Sequence, residues 1–272
     1  MRILLRMVVA LLAAASCALS ADVALAAERC IGMAEAPGRG GTPAIIRTSF
    51  REVNLKRTEV RITYVGHSTF VIESAAGIRA ATDYNDYVRP AELPDVVTMN
   101  RAHNTHYTDV PDPRIKHVLR GWDPKGGAAA HDVTVSDMHV RNVATNIRYG
   151  GETYEFGNSI FIFEVADLCI GHLGHLHHTL TTQQLAQIGQ LDIVLVPVDG
   201  SFTMDLDGMM ETLKTLKARL MLPMHYFSPY TLERFLTRAR AEFEVEIEAR
   251  PTIVISRATL PKRPTLRVLP DR

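Results

Sequence analysis

From residue 59 onward the chain is a succession of short apolar runs, each closed by turn-forming residues. Residues 60–65 alternate apolar and polar side chains, and 69–72 and 77–82 repeat the pattern. The runs 95–99, 132–135, 138–144, 159–165 and 168–171 are rich in β-branched residues, as half-buried or fully buried strands are. A loop holding Gly121, Pro124, Gly126 and Gly127 separates the fourth run from the fifth. The period then changes. Thr181 or Thr182 is placed to cap a helix reaching Ile188. Residues 205–218 carry apolar side chains at 209, 210, 213 and 216, which is helical spacing, and 231–243 does the same. Strands are predicted between and after these helices, at 192–196, 219–222, 244–248 and 252–256. A β-rich first half followed by alternating strands and helices predicts an α+β architecture in layers.

The first residues follow other rules. Arg2 and Arg6 precede an apolar run from Met7 to Leu19, and Ala24-Leu25-Ala26 follows as a small-residue cleavage site. The run is short for a spanning helix, which needs about 20 apolar residues, and the pattern reads as a secretory signal peptide. The expected organisation is a signal peptide at 1–26, an exposed Pro/Gly-rich extension at 27–57, and one domain at 58–272. The expected location is outside the cytoplasm, in the periplasm. Lys plus Arg equals Asp plus Glu at 30 each, which gives no electrostatic case for a nucleic-acid partner. No later run is long enough to span a bilayer. Three cysteines are too few for a disulfide scaffold, and Cys169, inside an apolar run, reads as a buried thiol.

Histidine placement carries the chemistry. All eleven histidines lie between His67 and His225, and three groups of them share one topological position. His103 and His106 follow the run ending at Met99. His172, His175, His177 and His178 follow the run 161–170, and His225 follows 220–224. Strand ends in a layered α/β protein gather on one rim, where sites form. Neutral imidazole is the commonest metal ligand. Convergence of three such exits predicts a shared metal or catalytic site. His117, His131 and His139 lack partners nearby in sequence and read as surface residues. Serine-nucleophile elbows, phosphate-binding loops and Cys-x-x-Cys pairs are absent from the sequence.

The order of motifs resembles the metallo-β-lactamase-fold hydrolases, in particular the ascorbate-6-phosphate lactonase-like branch. The segments that carry the resemblance are Ile62 to Phe70, Ala81-Thr82-Asp83, Arg101 to Tyr107, His172 to His178, Val196 to Gly200 and Pro223 to Tyr226. The resemblance implies a four-layer αββα sandwich with a metal site on one edge of the sheets. The family motif His-x-His-x-Asp-His falls here on Arg101, His103, Thr105 and His106, so its first His and its Asp are replaced. A further family His falls near Asn146, and the bridging Asp falls on His175. One family metal position therefore keeps only His103 and gains a cation in Arg101, whose guanidinium repels a divalent ion and can fill its space. The other keeps His106, His175 and His225, a sufficient set for one Zn²⁺ with an open position.

These correspondences imply one metal ion rather than two, zinc or another divalent ion. His103 stands beside it as a fourth ligand or proton carrier. Asp83, Asn146, His172 and Asp109 are expected to support the ligands from behind. Arg101, His103, Thr105 and His178 are the expected catalytic positions, with His178 also a candidate ligand. Arg101 points to a small anionic substrate. Hydrolysis of a lactone, another ester or a phosphodiester is the leading expectation. The alternative is a non-catalytic member of the same fold that binds metal or ligand, which the replaced motif positions favour; anion binding without a metal is a third. Substrate and oligomeric state stay open.

Overall fold

The alternation at 60–72 forms a hairpin, β1 (Val60–Gly66) and β2 (Thr69–Glu73), whose turn carries His67 and Ser68. The computed structural model describes Cys30 and residues 54–271; the expected signal peptide and most of the expected extension lie outside the described residues. β3 (Arg79–Ala81) continues antiparallel to β2, then β4 (Val96–Met99) and β5 (His117–Arg120) add in parallel. The second sheet begins with β6 (Asp132–Val135) and the long pair β7 (Met138–Tyr149) and β8 (Glu152–Val165). β9 (Leu168–His172), β10 (Ile193–Pro197), β11 (Leu220–Met224), β12 (Glu244–Ile247), β13 (Thr252–Ile255) and β14 (Thr265–Val268) follow. Among the described residues three α-helices are interleaved: α1 (Thr182–Ile188), α2 (Leu206–Leu216) and α3 (Pro229–Ala239).

The six-stranded sheet runs β13-β1-β2-β3-β4-β5, and the eight-stranded sheet runs β12-β14-β11-β10-β9-β8-β7-β6. Between them lies one apolar layer, in which Ile62, Phe70 and Ile72 meet Phe161, Phe163 and Leu222. The outer face of the larger sheet, with Ile162, Val194 and Met221, is covered by α1, α2 and α3 through Ile188, Met209, Leu213 and Phe235. On the smaller sheet, Ala81, Val97 and Met99 are covered by Tyr84, Ile115 and Trp122 from loops. The chain is thus an α+β sandwich, with loops as its fourth layer among the described residues.

Helix starts follow the side chains available to satisfy free N–H groups. Thr181 and Gln184 form a capping box on α1, Asp205 caps α2, and Ser228 caps α3 with Pro229 at its first position. Two strands lie outside the predicted set, β5 and β14. Both are four residues long, and β14 lies inside a Pro-flanked segment. The pair β7–β8 runs further than 138–144 and 159–165 predicted, through polar positions whose partners are each other rather than a core.

Cys169 is not a free thiol. It forms a disulfide with Cys30, with Cα atoms 5.9 Å apart across a separation of 139 residues. Cys169 lies in β9, an interior strand of the larger sheet, on the helix-covered side, where the Cys30 carbonyl also accepts from the Gln190 N–H at 3.2 Å. No helix among the described residues is long and apolar enough to cross a membrane.

Candidate metal centre

Parallel pairing puts the C-terminal ends of β9, β10 and β11 on one rim. The ends of β3 and β4, also parallel, reach the same rim from the other sheet. The chain leaving β4 brings His103 and His106; leaving β9, His175; leaving β11, His225. One nitrogen from each of these four imidazoles lies within 4.8 Å of the other three. His106 Nε2 faces His225 Nε2 at 3.2 Å, and His103 Nε2 faces His175 Nε2 at 2.7 Å. His106, His175 and His225 are buried, and His103 is half-buried at the mouth.

The rings are held from behind by their other nitrogens. Asp83 Oδ2 accepts from His106 Nδ1 at 2.5 Å, and Asn100 Nδ2 donates to the other carboxylate oxygen at 3.0 Å. Asp199 Oδ2 accepts from His225 Nδ1 at 3.0 Å. His175 Nδ1 lies 2.6 Å from His177 Nε2, and the His175 N–H donates to Asn158 Oδ1 at 2.8 Å. Such partners fix tautomer and ring orientation in metal sites. His67, Asp83 and His225 all have left-handed backbone, with φ of 51°, 43° and 55°. Non-glycine residues rarely adopt this conformation, and strain of this kind gathers at functional sites. Gly174, with φ 60°, lets the loop pass against Asn100 and Asn158, the two amides that carry Asp83 and His175.

Burial sets the protonation. It drives the His106 and His175 imidazoles well below the ordinary histidine range, and their histidine neighbours add to the effect. His103 and His172 are lowered by burial too. His67 falls to about 3, by burial and then the neighbouring His225 and His103; His177 falls to about 4, by burial and then Arg148. Burial raises Asp83 to about 6. Burial also works against the Asp199 carboxylate, but hydrogen bonds from His225, Thr203 and the Ser201 N–H outweigh it and hold its pKa far down. A carboxylate accepting at each Nδ1 leaves the Nε2 atoms of His106 and His225, 3.2 Å apart, facing each other, where they can ligate a cation. Tetrahedral zinc with imidazole bonds of about 2.0–2.1 Å separates its ligand nitrogens by about 3.3 Å. The donor set therefore fits a borderline cation that favours nitrogen.

Several residues expected at the site lie elsewhere. Arg101 is exposed and does not occupy the space among the histidines. His178 accepts from the Asn146 N–H at Nε2 (3.1 Å) and pairs through Nδ1 with the Thr179 carbonyl (2.8 Å), so neither nitrogen is free to ligate or relay a proton. Asn146 accepts from the Phe156 N–H at the bend of β7–β8, away from the imidazole cluster. Asp109 is exposed and does not replace the motif carboxylate. His172 ligates nothing in the cluster; its Nε2 lies 3.0 Å from the Ser68 carbonyl. Thr105 Oγ1 lies 3.1 Å from His67 Nε2.

Sequence reasoning assigned no role to Asp199 or His177; the His67 ring stands 4.4 Å from the His225 ring, centroid to centroid. The Val-Pro-Val-Asp-Gly run at the exit of β10 was the available signal for Asp199. His131, His139 and His117 are half-buried rather than fully exposed. His131 Nε2 contacts the Arg120 carbonyl, His139 lies between Asp132 and Glu164, and His117 is half-buried in β5.

A two-sheet sandwich with an imidazole cluster at one rim of both sheets defines the class of metallo-β-lactamase-like folds. The match to the beta-lactamase superfamily domain spans residues 61–225, and the chain belongs to that superfamily. Among curated relatives, a UPF0173 metal-dependent hydrolase of Nanoarchaeum equitans is 22% identical, over 61% of this chain and 84% of that protein. Its counterpart in Carboxydothermus hydrogenoformans is 24% identical with the same coverage. A crystal structure from Thermotoga maritima, described as a candidate Zn-dependent hydrolase of the metallo-β-lactamase superfamily, matches with 26% identity. It covers 78% of this chain and all of that chain, at a TM-score of 0.58.

Proposed function

We propose that this protein is an exported, metal-dependent hydrolase that uses one zinc ion held by His106, His175 and His225, with His103 as fourth ligand or proton carrier. The observation that carries the reading is the convergence of four imidazole nitrogens within 4.8 Å of one another, two of the rings, His106 and His225, being paired at Nδ1 to the carboxylates of Asp83 and Asp199. The names of the curated relatives support hydrolysis. A zinc ion bound there would supply a Lewis acid to polarise a carbonyl or phosphoryl oxygen and to activate water.

The protein's own residues do the rest. Asp83, Asp199 and His177 hold three rings in place. His103, half-buried and facing His175, is the imidazole available to carry a proton at the mouth. Arg101, exposed on the same segment, suits an anionic group on the substrate. The bond is that of a lactone or other ester, or a phosphodiester. The Cys30–Cys169 disulfide supports an oxidising compartment, in line with export to the periplasm.

Elemental analysis of the purified protein, paired with assays on lactones and phosphodiesters, tests this reading. One zinc per chain, lost together with turnover in His225→Ala, is expected. Metal-replete protein without bound transition metal would overturn it. One observation favours a second reading, a non-catalytic metal-binding member: Thr105, at the motif carboxylate position, is paired to His67. Tight zinc binding without turnover on any substrate, unchanged by Thr105→Asp, would select it.

A further inference from the structure

Two large apolar side chains stand in the open beside the imidazole cluster. Phe202 and Phe227 are 59% and 56% exposed. Their rings meet edge to face, with centroids 5.4 Å apart. The Phe227 ring lies 5.2 Å from that of His225 and 5.8 Å from that of His67. Neither ring belongs to an apolar core cluster.

The backbone under both rings is fixed. Asp199 Oδ1 accepts the N–H groups of Ser201 (2.8 Å), Phe202 (2.5 Å) and Thr203 (3.2 Å). Its other oxygen takes the Thr203 hydroxyl at 2.5 Å and His225 Nδ1 at 3.0 Å. Phe227 sits between His225 and Ser228, the cap of α3. Aromatic rings held this way are pre-organised, so a ligand meeting them has little ordering left to do. Exposed apolar surface next to convergent polar groups is the usual composition of a ligand pocket.

We infer that Phe202 and Phe227 form an apolar subsite that receives a flat, uncharged group, an aryl ring, attached next to the bond the imidazole cluster acts on. The inference rests on the hydrolase reading for the position of the scissile bond, but its binding component does not. The rings lie on the His225 side, so the aryl group projects toward the loop 200–204. The pair selects among substrates by recognition and takes no part in bond breaking.

Calorimetric titration of the purified, zinc-saturated protein with phenylphosphonate and with methylphosphonate tests it. The two probes share a headgroup and differ in the ring. Phenylphosphonate is expected to bind about tenfold more tightly, and Phe202→Ala with Phe227→Ala to bring the ratio near one. Because both rings are exposed, the truncations leave no buried cavity, and thermal melting checks that each variant is folded. Equal affinity of the two probes, no measurable phenylphosphonate binding, or a ratio that survives the double truncation overturns the subsite. So does a change in sedimentation on truncation with the ratio intact, which would assign the rings to contact with a second copy. Turnover of phenyl-substituted against unsubstituted γ-butyrolactone separates the two ideas. Absent turnover with the phosphonate ratio intact removes the hydrolase reading alone; turnover without either preference removes the subsite alone.

Discussion

Two carboxylates decide whether the imidazole cluster can hold a cation. Asp83 and Asp199 accept at the Nδ1 atoms of His106 and His225 and leave the Nε2 atoms turned toward each other. Asp199→Asn is expected to lower zinc affinity about 10–100-fold, the range for losing a partner behind a metal ligand; chelator competition measures it. Gly174 matters for a different reason. A Cβ there would meet Asn100 Nδ2 and Asn158 Oδ1, each at a distance no real contact shows, on a backbone with φ of 60°. Gly174→Ala is expected to cost more than about 1 kcal/mol of stability and to reduce bound metal, read by urea unfolding and elemental analysis. The four clustered histidines were legible in the sequence because each follows a strand end. Asp199 and His177 were not, because a group acting through another side chain leaves no spacing of its own. The backbone partners of His178, at Asn146 and Thr179, were not legible, because they are set by the bend of a hairpin.

Strand pairing at the edge of the larger sheet holds a titrating group far from the metal centre. His139 of β7 lies across from Glu164 of β8 and reaches Asp132 of β6, with nitrogens 3.2 and 2.7 Å from their carboxylates. Burial lowers its affinity for a proton, but the two carboxylates outweigh this and raise its pKa above the ordinary 6.5. A group whose folded pKa is raised stabilises the fold below its unfolded pKa, and the contribution disappears as pH rises through the folded value. His139→Gln is therefore expected to lower Tm more at pH 5.5 than at pH 8.5; an equal loss at both would contradict the assignment. At the helices, local rules sufficed. Thr181, Asp205 and Ser228 each cap as a short polar side chain ahead of an apolar period should. β5 and β14 were not legible, since four residues hold too few alternations to distinguish a strand from a loop.

At the scale of the molecule, the sandwich follows from the change of period along the chain, and the family motifs identified it. The covalent link between Cys30 and Cys169 could not be read that way, because nothing local relates residues 139 positions apart. Closing so long a loop restricts the unfolded chain, and the usual range for a native disulfide is about 2–5 kcal/mol. Cys30→Ser is expected to lower unfolding free energy within that range in oxidised protein, and to make no difference once reductant is present. Urea unfolding with and without reductant checks both.

The Asp199 carboxylate also joins two tasks. One oxygen steadies a metal-facing ring, and the other gathers the backbone that displays Phe202. Divergence toward new molecules at this mouth is therefore channelled: ring identity at 202 and 227 can drift, while the acid beneath them stays locked by the demands of the centre it serves.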